Sequence, residues 1–308
     1  MNRKLAQTAF KQIRQRQNNL ALLFNQSARY FSTAAEQQAK QEKIDFGFQE
    51  VKYEDKEKMV RKVFSSVADS YDVMNDAMSL GVHRCWKDTF VNQIGQLKTR
   101  KVLNDNGDVE REDKLKIIDV AGGTGDISFR ILNKSKQDSP NKLSVDITVS
   151  DINPNMLEVG KKRAVEQGLF HDLSFMELNA EDLSNLKSDD YDLYTIAFGI
   201  RNVTDRPKAL KEAYRVLRKG GRFMCLEFSE VEVPGLKQFY DFYSFNVIPT
   251  LGQFIANDKD SYQYLVESIR KFPKQQEFAK LIEDAGFKAV TYTNLTGGIV
   301  AVHSGFKI

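Results

Sequence analysis

The sequence predicts an α/β fold: a mostly parallel sheet of seven strands, helices on both faces, and an antiparallel hairpin at the C-terminal end. Three observations predict it. From residue 116 onward, short runs rich in Val, Ile, Leu and aromatics alternate with helix-length segments of 3.6-residue periodicity. The first run passes straight into Asp119-Val120-Ala121-Gly122-Gly123-Thr124-Gly125-Asp126, a glycine-rich strand-to-helix turn. The last two runs are joined by Thr296-Gly297-Gly298, which is too short for the crossover that parallel strands need and suits a hairpin.

Composition bounds the rest. With 308 residues, 41% of them hydrophobic, the chain can form one large domain or two small ones. Residues 1–35 carry Arg3, Lys4, Lys11, Arg14, Arg16 and Arg29 and no acid, the composition of a mitochondrial transit peptide. Ile13, Leu20, Leu23 and Phe24 can share one helical face there, and Ala28-Arg29-Tyr30-Phe31-Ser32 reads as a matrix processing site; the bland alternative is a basic tail. Setting that leader aside turns a net charge of +3 into −3, 39 basic residues against 42 acidic, so no nucleic-acid-binding surface is indicated. Cys85 and Cys225 stand apart without ligand spacing, so neither a disulfide scaffold nor a metal site is expected. No apolar run approaches the roughly 18 residues that would span a bilayer.

Residues 36–57, polar and of mixed charge, read as a flexible lead-in to a domain covering 58–308. Val60, Val63, Phe64, Val67, Ala68 and Tyr71 lie on one face of a predicted helix over 60–71, and Trp86, Phe90, Val91, Ile94 and Leu97 mark a second. Residues 104–114 are charged and turn-forming, a solvated insertion ahead of the first strand. Strands are then predicted over 116–120, 146–150, 173–178, 191–198 and 221–228, with helices over 156–167 and 207–217. A helix over 274–285, stopped by Gly286, precedes the hairpin strands 289–294 and 299–305.

A glycine-rich turn after a strand lets a ligand approach the backbone and presents free N–H groups at the helix start, for a dinucleotide or for S-adenosylmethionine. The dinucleotide pattern wants a further glycine three residues after Gly125, where this chain has Ser128. Asp151, after the second strand, can hold the ribose hydroxyls of either cofactor. Asn179-Ala180-Glu181, after the third, stand where methyltransferases place a polar side chain against adenine. Together with the terminal hairpin these favour S-adenosylmethionine and the class I methyltransferase fold.

Several blocks then carry a specific resemblance. They are Tyr71-Asp72 with Asn75-Asp76, Ser79-Leu80-Gly81, His83-Arg84 and Trp86-Lys87; Ala121 to Asp126; Phe198-Gly199-Ile200-Arg201-Asn202-Val203-Thr204-Asp205; and Leu226-Glu227-Phe228-Ser229 with Ala256-Asn257-Asp258. Over about residues 58–307 the chain resembles the C-methyltransferases of ubiquinone and menaquinone biosynthesis. The resemblance implies methyl transfer from S-adenosylmethionine to a ring carbon, for the mitochondrial branch that of 2-methoxy-6-polyprenyl-1,4-benzoquinol. It also implies a mitochondrial matrix enzyme among other ubiquinone-pathway enzymes; its membrane-borne substrate would place it peripherally on the inner membrane. A second copy of the chain, in a homodimer, is a further candidate partner, the oligomeric state being left open by the sequence. Its cofactor positions fall on Thr124, Asp151, Asn179 and Ala180, alongside Gly122, Gly123 and Gly125 of the turn. Two departures stand out: Ala197 replaces a serine of bacterial members, and Lys219 replaces a proline. An O-methyltransferase or a catalytically silent scaffold of the same fold are the alternatives.

Carbon methylation of a quinol requires the ring carbon in line with the donor methyl and a hydroxyl brought toward phenolate. Arg201 and Asn202 follow the fourth strand at its carboxyl end, so Arg201 is expected to stabilise the phenolate and Asn202 to orient a ring oxygen; a structural ion pair of Arg201, for instance with Asp205, is the competing reading. Tyr71, Asp72 and His83, with Tyr243 behind them, are candidates for the base. The connection 229–288 holds nine aromatics within 231–275, either core or a substrate lid.

Overall fold

The computed structural model describes residues 43–67, 75–76, 78–97, 100–103, 106, 109–138, 145–256 and 258–308. The expected transit peptide, 1–35, and the candidates Tyr71 and Asp72 lie outside the described residues.

The lead-in expected over 36–57 is structured from residue 43. Strands β1 (Lys43–Phe46) and β2 (Gln49–Lys52) form an antiparallel hairpin that runs directly into helix α1 (Tyr53–Val67). Helix α2 (Val82–Asn92) starts behind Gly81, whose φ of 77° lets the chain turn sharply into it. The charged insertion is an antiparallel ribbon, β3 (Arg100–Leu103) with β4 (Val109–Asp113), leading into the amino end of the first sheet strand, away from the carboxyl edge where ligands bind.

That strand is β5 (Leu115–Val120). After it come α3 (Asp126–Asp138), β6 (Val145–Asp151), α4 (Pro154–Glu166), β7 (Leu173–Glu177), β8 (Tyr191–Ala197), α5 (Arg206–Val216) and β9 (Leu217–Phe228). A helical cap follows: α6 (Leu236–Phe242), a π turn (Tyr243–Val247), α7 (Ile248–Ala256) and α8 (Lys259–Lys271). Helix α9 (Gln275–Asp284) and the hairpin β10 (Lys288–Leu295) and β11 (Val300–Phe306) complete the chain. The sheet order is β10-β11-β9-β8-β5-β6-β7, with β11 antiparallel to both neighbours and the other five strands parallel.

Alternation along the strands builds two cores, one on each face. Ile117 and Met224 point to the layer formed by Trp86, Phe90, Ile131 and Leu157 of α2, α3 and α4. Ile118, Phe223 and Cys225 point to the opposite layer, with Leu210 and Ala213 of α5 and Phe278 and Ile282 of α9. Local chemistry starts the helices. Asn153 caps α4 ahead of Pro154, and Asp205 and Asp258 accept backbone N–H bonds at the starts of α5 and α8. The cap has a small core of its own, Ile248, Tyr262 and Val266. The π turn falls just before Pro249, where a missing N–H breaks the ordinary helical ladder. The β1–β2 hairpin is fastened to this cap: Phe46 stacks on Tyr264 at 4.1 Å, and the Phe48 N–H donates to Glu267 at 2.9 Å.

Candidate active site

Where β5 meets α3 the chain makes a turn that only particular residues allow. Gly123 and Gly125 have φ of 52° and 83°, and Ala121 shares the positive-φ region at 52°. The Gly122 N–H donates to the Ser150 carbonyl at 2.8 Å, tying the turn to β6. Across it, a Cβ on Gly199 would stand 2.4 Å from the Ala121 Cβ, so the segment after β8 approaches the turn as closely as a glycine permits. Ser128, which stands where the dinucleotide pattern has its third glycine, donates to the buried Asp119 at 2.8 Å, and Thr195 donates to the same carboxyl at 2.9 Å. Burial pushes Asp119 up to about 6 despite those two bonds.

This turn floors a cavity of about 1100 Å³, part of it open to solvent. Gly122, Gly123, Thr124, Asp151, Asn179 and Ala180 all line it. Asp151 ends β6 and is held by two backbone donors, Gly123 N–H at 3.0 Å and Asn153 N–H at 2.8 Å; burial raises it to about 6. Asn179 is oriented by the Glu181 N–H, which donates to its Oδ1 at 2.9 Å. Ala197 lines the cavity without a hydroxyl to offer.

The roof was missed in the sequence. Glu57, Val60, Arg61 and Phe64 of α1 line the same cavity, and Asn153 Nδ2 fixes the helix by donating to the Arg61 carbonyl at 3.1 Å and to Ser65 Oγ at 3.0 Å. The apolar stripe of α1 was the only signal, and a stripe does not tell a core from a cavity wall.

The lining suits S-adenosylmethionine. Asp151 offers carboxylate oxygens for a ribose diol, and Ile152, Met156 and Leu178 offer apolar surface beside the amide of Asn179 for an adenine. Among the described lining residues, five carboxyl side chains (Glu57, Asp119, Asp126, Asp151, Glu181) face two bases, Arg61 and Lys87. That balance favours a sulfonium cation over the pyrophosphate of a dinucleotide.

The family model of the ubiE/COQ5 methyltransferase family matches residues 26–307. The chain belongs to this family. It is 52% identical over 274 residues to the mitochondrial 2-methoxy-6-polyprenyl-1,4-benzoquinol methylase of Oryza sativa subsp. japonica, covering 85% of this chain and 88% of that one. It is 53% identical over 263 residues to a ubiquinone/menaquinone biosynthesis C-methyltransferase of Bartonella tribocorum, covering 85% and 94%. Among solved structures, an S-adenosylmethionine-dependent methyltransferase of Thermotoga maritima shares the fold, with a TM-score of 0.50 at 19% identity over 80% of this chain and 99% of that one. This ubiE/COQ5 chain is therefore a methyltransferase that uses S-adenosylmethionine.

A second space of about 930 Å³, part of it open to solvent, meets the first along Phe64, Lys87 and Phe198. It is walled by α2, the cap and the end of β9, and Arg201, His83, Trp86, Phe228 and Tyr240 all face it. Arg201 does form an ion pair, but with Glu227 rather than Asp205: its guanidinium donates to Glu227 Oε1 at 3.0 Å, and its backbone N–H to Oε2 at 3.2 Å. The same Nη1 also donates to the Phe198 carbonyl. Asp205 is occupied instead as the cap of α5. Among the described residues the buried Arg201 Nε has no hydrogen-bond partner, and the guanidinium lies 5.5 Å from the centre of the Phe228 ring. Asn202 lines the cofactor cavity, where Tyr264 donates to its Oδ1 at 3.0 Å. The hydroxyl of Tyr243 donates to the Met78 carbonyl at 3.1 Å and so joins the cap to the segment before α2. Lys87, at the junction of the two spaces, is buried against Asp126 at 2.7 Å. Lys219 is exposed in the early part of β9, far along the strand from the site.

Proposed function

We propose that the chain transfers the methyl group of S-adenosylmethionine to a ring carbon of 2-methoxy-6-polyprenyl-1,4-benzoquinol, the acceptor named for its plant relatives. The observation that carries the reading is the second space: aromatic-walled, adjoining the cofactor cavity, and holding a buried arginine whose Nε–H has no partner among the described residues. Bound over Asp151 and the glycine turn, S-adenosylmethionine would supply an electrophilic methyl. The protein's part is to hold a planar ring edge-on to it and to stabilise negative charge on the ring oxygen. Arg201 suits the second task, because Glu227 and the Phe198 carbonyl fix its plane while Nε–H stays available to an oxyanion. Asn202, locked by Tyr264, keeps the wall between the two spaces in register.

The plant relatives are named mitochondrial, in accord with the acid-free leader, and the finer placement belongs to this proposal: the matrix face of the inner membrane, peripherally bound. Residues 242–257 contain no Asp, Glu, Lys or Arg over 16 positions. The cap that turns Tyr240 and Ile248 into the acceptor space turns Phe239 and Phe242 outward, 65% and 64% exposed. A surface of that kind beside an apolar cavity suits collection of a lipid-borne quinol. Association with other enzymes of the same pathway, and with a second copy of the chain, belongs to the same reading.

The test is to incubate the full chain with methyl-labelled S-adenosylmethionine and a short-tailed 2-methoxy-6-prenyl-benzoquinol, then locate the label by NMR. A ring C-methyl is expected. Label on oxygen would make the chain an O-methyltransferase.

A further inference from the structure

His83 sits on the first turn of α2 with its side chain 8% exposed, facing the acceptor space. Its surroundings determine which nitrogen carries the proton. Ser79 has one hydroxyl hydrogen, and that hydrogen goes to the Asn75 carbonyl at 2.6 Å. The two remaining lone pairs of Ser79 Oγ meet the His83 backbone N–H at 3.2 Å and His83 Nδ1 at 2.9 Å. An oxygen whose hydrogen is already committed can only accept, so Nδ1 must be the protonated nitrogen. The imidazole is thereby held as the Nδ1–H tautomer, with the lone pair of Nε2 left over for the cavity. Asp76 stands 3.6 Å from Nδ1, itself gripped by both Arg84 nitrogens, Nε on Oδ1 at 2.7 Å and Nη2 on Oδ2 at 2.5 Å.

We infer that His83 Nε2 is the proton acceptor for the acceptor's ring hydroxyl, with Ser79 and Asp76 as the residues that position it. The role rests on the reading of the second space as the quinol site. In the step, the O–H bond breaks and its proton goes to Nε2. The electron pair passes through the ring to the carbon that takes the methyl, and the methyl–sulfur bond breaks with its pair left on sulfur. The imidazolium then returns its proton to the ring oxygen as the methylated carbon's hydrogen leaves as a proton to water, so one proton is released for each methyl transferred. The other base candidate that the structure describes is otherwise engaged: the Tyr243 hydroxyl is spent on the Met78 carbonyl.

The charges around the ring suit a neutral base. Burial and the cations Lys87 and Arg84 lower its basicity below that of an ordinary histidine, while Asp76 and Asp126 oppose them. Arg201 faces the same space. A neutral imidazole at pH 7 can therefore take a proton, and Asp76 stabilises the cation that results.

Full-length wild type, His83→Ala and His83→Gln are assayed with labelled S-adenosylmethionine and the short-tailed quinol. Both variants are expected to lose about 100-fold or more in kcat, with cofactor affinity by calorimetry within about twofold of wild type. Added imidazole is expected to restore His83→Ala, and the acidic limb of the kcat–pH profile to vanish in both. Asp76→Asn is expected to move that limb to lower pH, an effect a merely structural histidine would not show. Wild-type turnover with His83→Gln within about fivefold overturns the role of His83 alone. Wild type that methylates no benzoquinol overturns both this role and the reading it rests on. If His83→Ala does not fold, nitrogen-15 NMR of histidine-labelled wild type decides: an Nε2–H tautomer overturns the inference.

Discussion

The two spaces that meet at Phe64, Lys87 and Phe198 are made differently. The cofactor cavity rests on strand ends and the backbone of one turn: Gly123 N–H holds Asp151, Ser128 holds Asp119, and Gly199 presses against Ala121. The proposed acceptor space is assembled from side chains of segments far apart in the chain, with Arg201 at its floor held from behind by Glu227, His83 on one wall and Tyr240 and Tyr264 in the cap. A site made of turns is specified locally, whereas one made of packed side chains depends on the elements having docked. The difference teaches where function and stability are entangled: a cofactor residue can be changed within a surviving turn, but an acceptor residue is also part of the packing.

The sharpest way to break this comparison is Arg201→Ala. It leaves Glu227, 1% exposed, as an unpaired charge, and urea denaturation should show a loss of about 3–5 kcal/mol together with lost turnover. Unchanged stability would mean that the ion pair is dispensable to the fold. Asp151→Ala should instead act on the cofactor, lowering its affinity in calorimetry by about 10-fold or more, since hydrogen bonds to a charged group contribute about 1.5–3 kcal/mol. If Arg201→Ala weakened cofactor binding more than Asp151→Ala, the division of labour between the two spaces would fall.

A pH experiment sharpens the same contrast. Asp151 rises from 3.8 to about 6 on folding, so its contribution favours the folded state fully below 3.8 and is lost as pH rises through 6. Going from pH 7 to 5, the ligand-free wild type should gain stability relative to Asp151→Asn, while its cofactor affinity falls because the ribose acceptor becomes protonated. Parallel pH curves for the two proteins would contradict this. The smallest effect on the fold is expected at the outward phenylalanines. Phe239→Ser with Phe242→Ser should change stability by no more than about 0.5 kcal/mol per substitution yet reduce co-sedimentation with phospholipid vesicles. Undiminished sedimentation would move the membrane face elsewhere.

Legibility followed the same divide. The strand–turn–helix at 119–126, Asp151 and Asn179-Ala180 could be read because each is announced within a few residues by period and turn chemistry. The partner of Arg201 could not: Glu227 is 26 residues away, adjacent only because β8 and β9 pair in register. Asp205, four residues on, is the example of a partner that sequence distance offers, and it caps α5 instead. The hairpin before α1 was overlooked because it is short and polar, and it holds its place through Phe46 on Tyr264, more than two hundred residues away.

The sequence by itself determined the sheet, the glycine turn and the acid that ends β6, since alternation, helical period and φ-positive turns are properties of neighbouring residues. Only the tertiary structure decided that α1 is a roof over the cofactor cavity, that Glu227 fixes Arg201, and that Ser79 sets the tautomer of His83 within the acceptor space. The first two depend on contacts between segments that meet only after the sheet has closed. The third lies within a single turn, but it acquires meaning only once the cap has made the cavity that His83 lines.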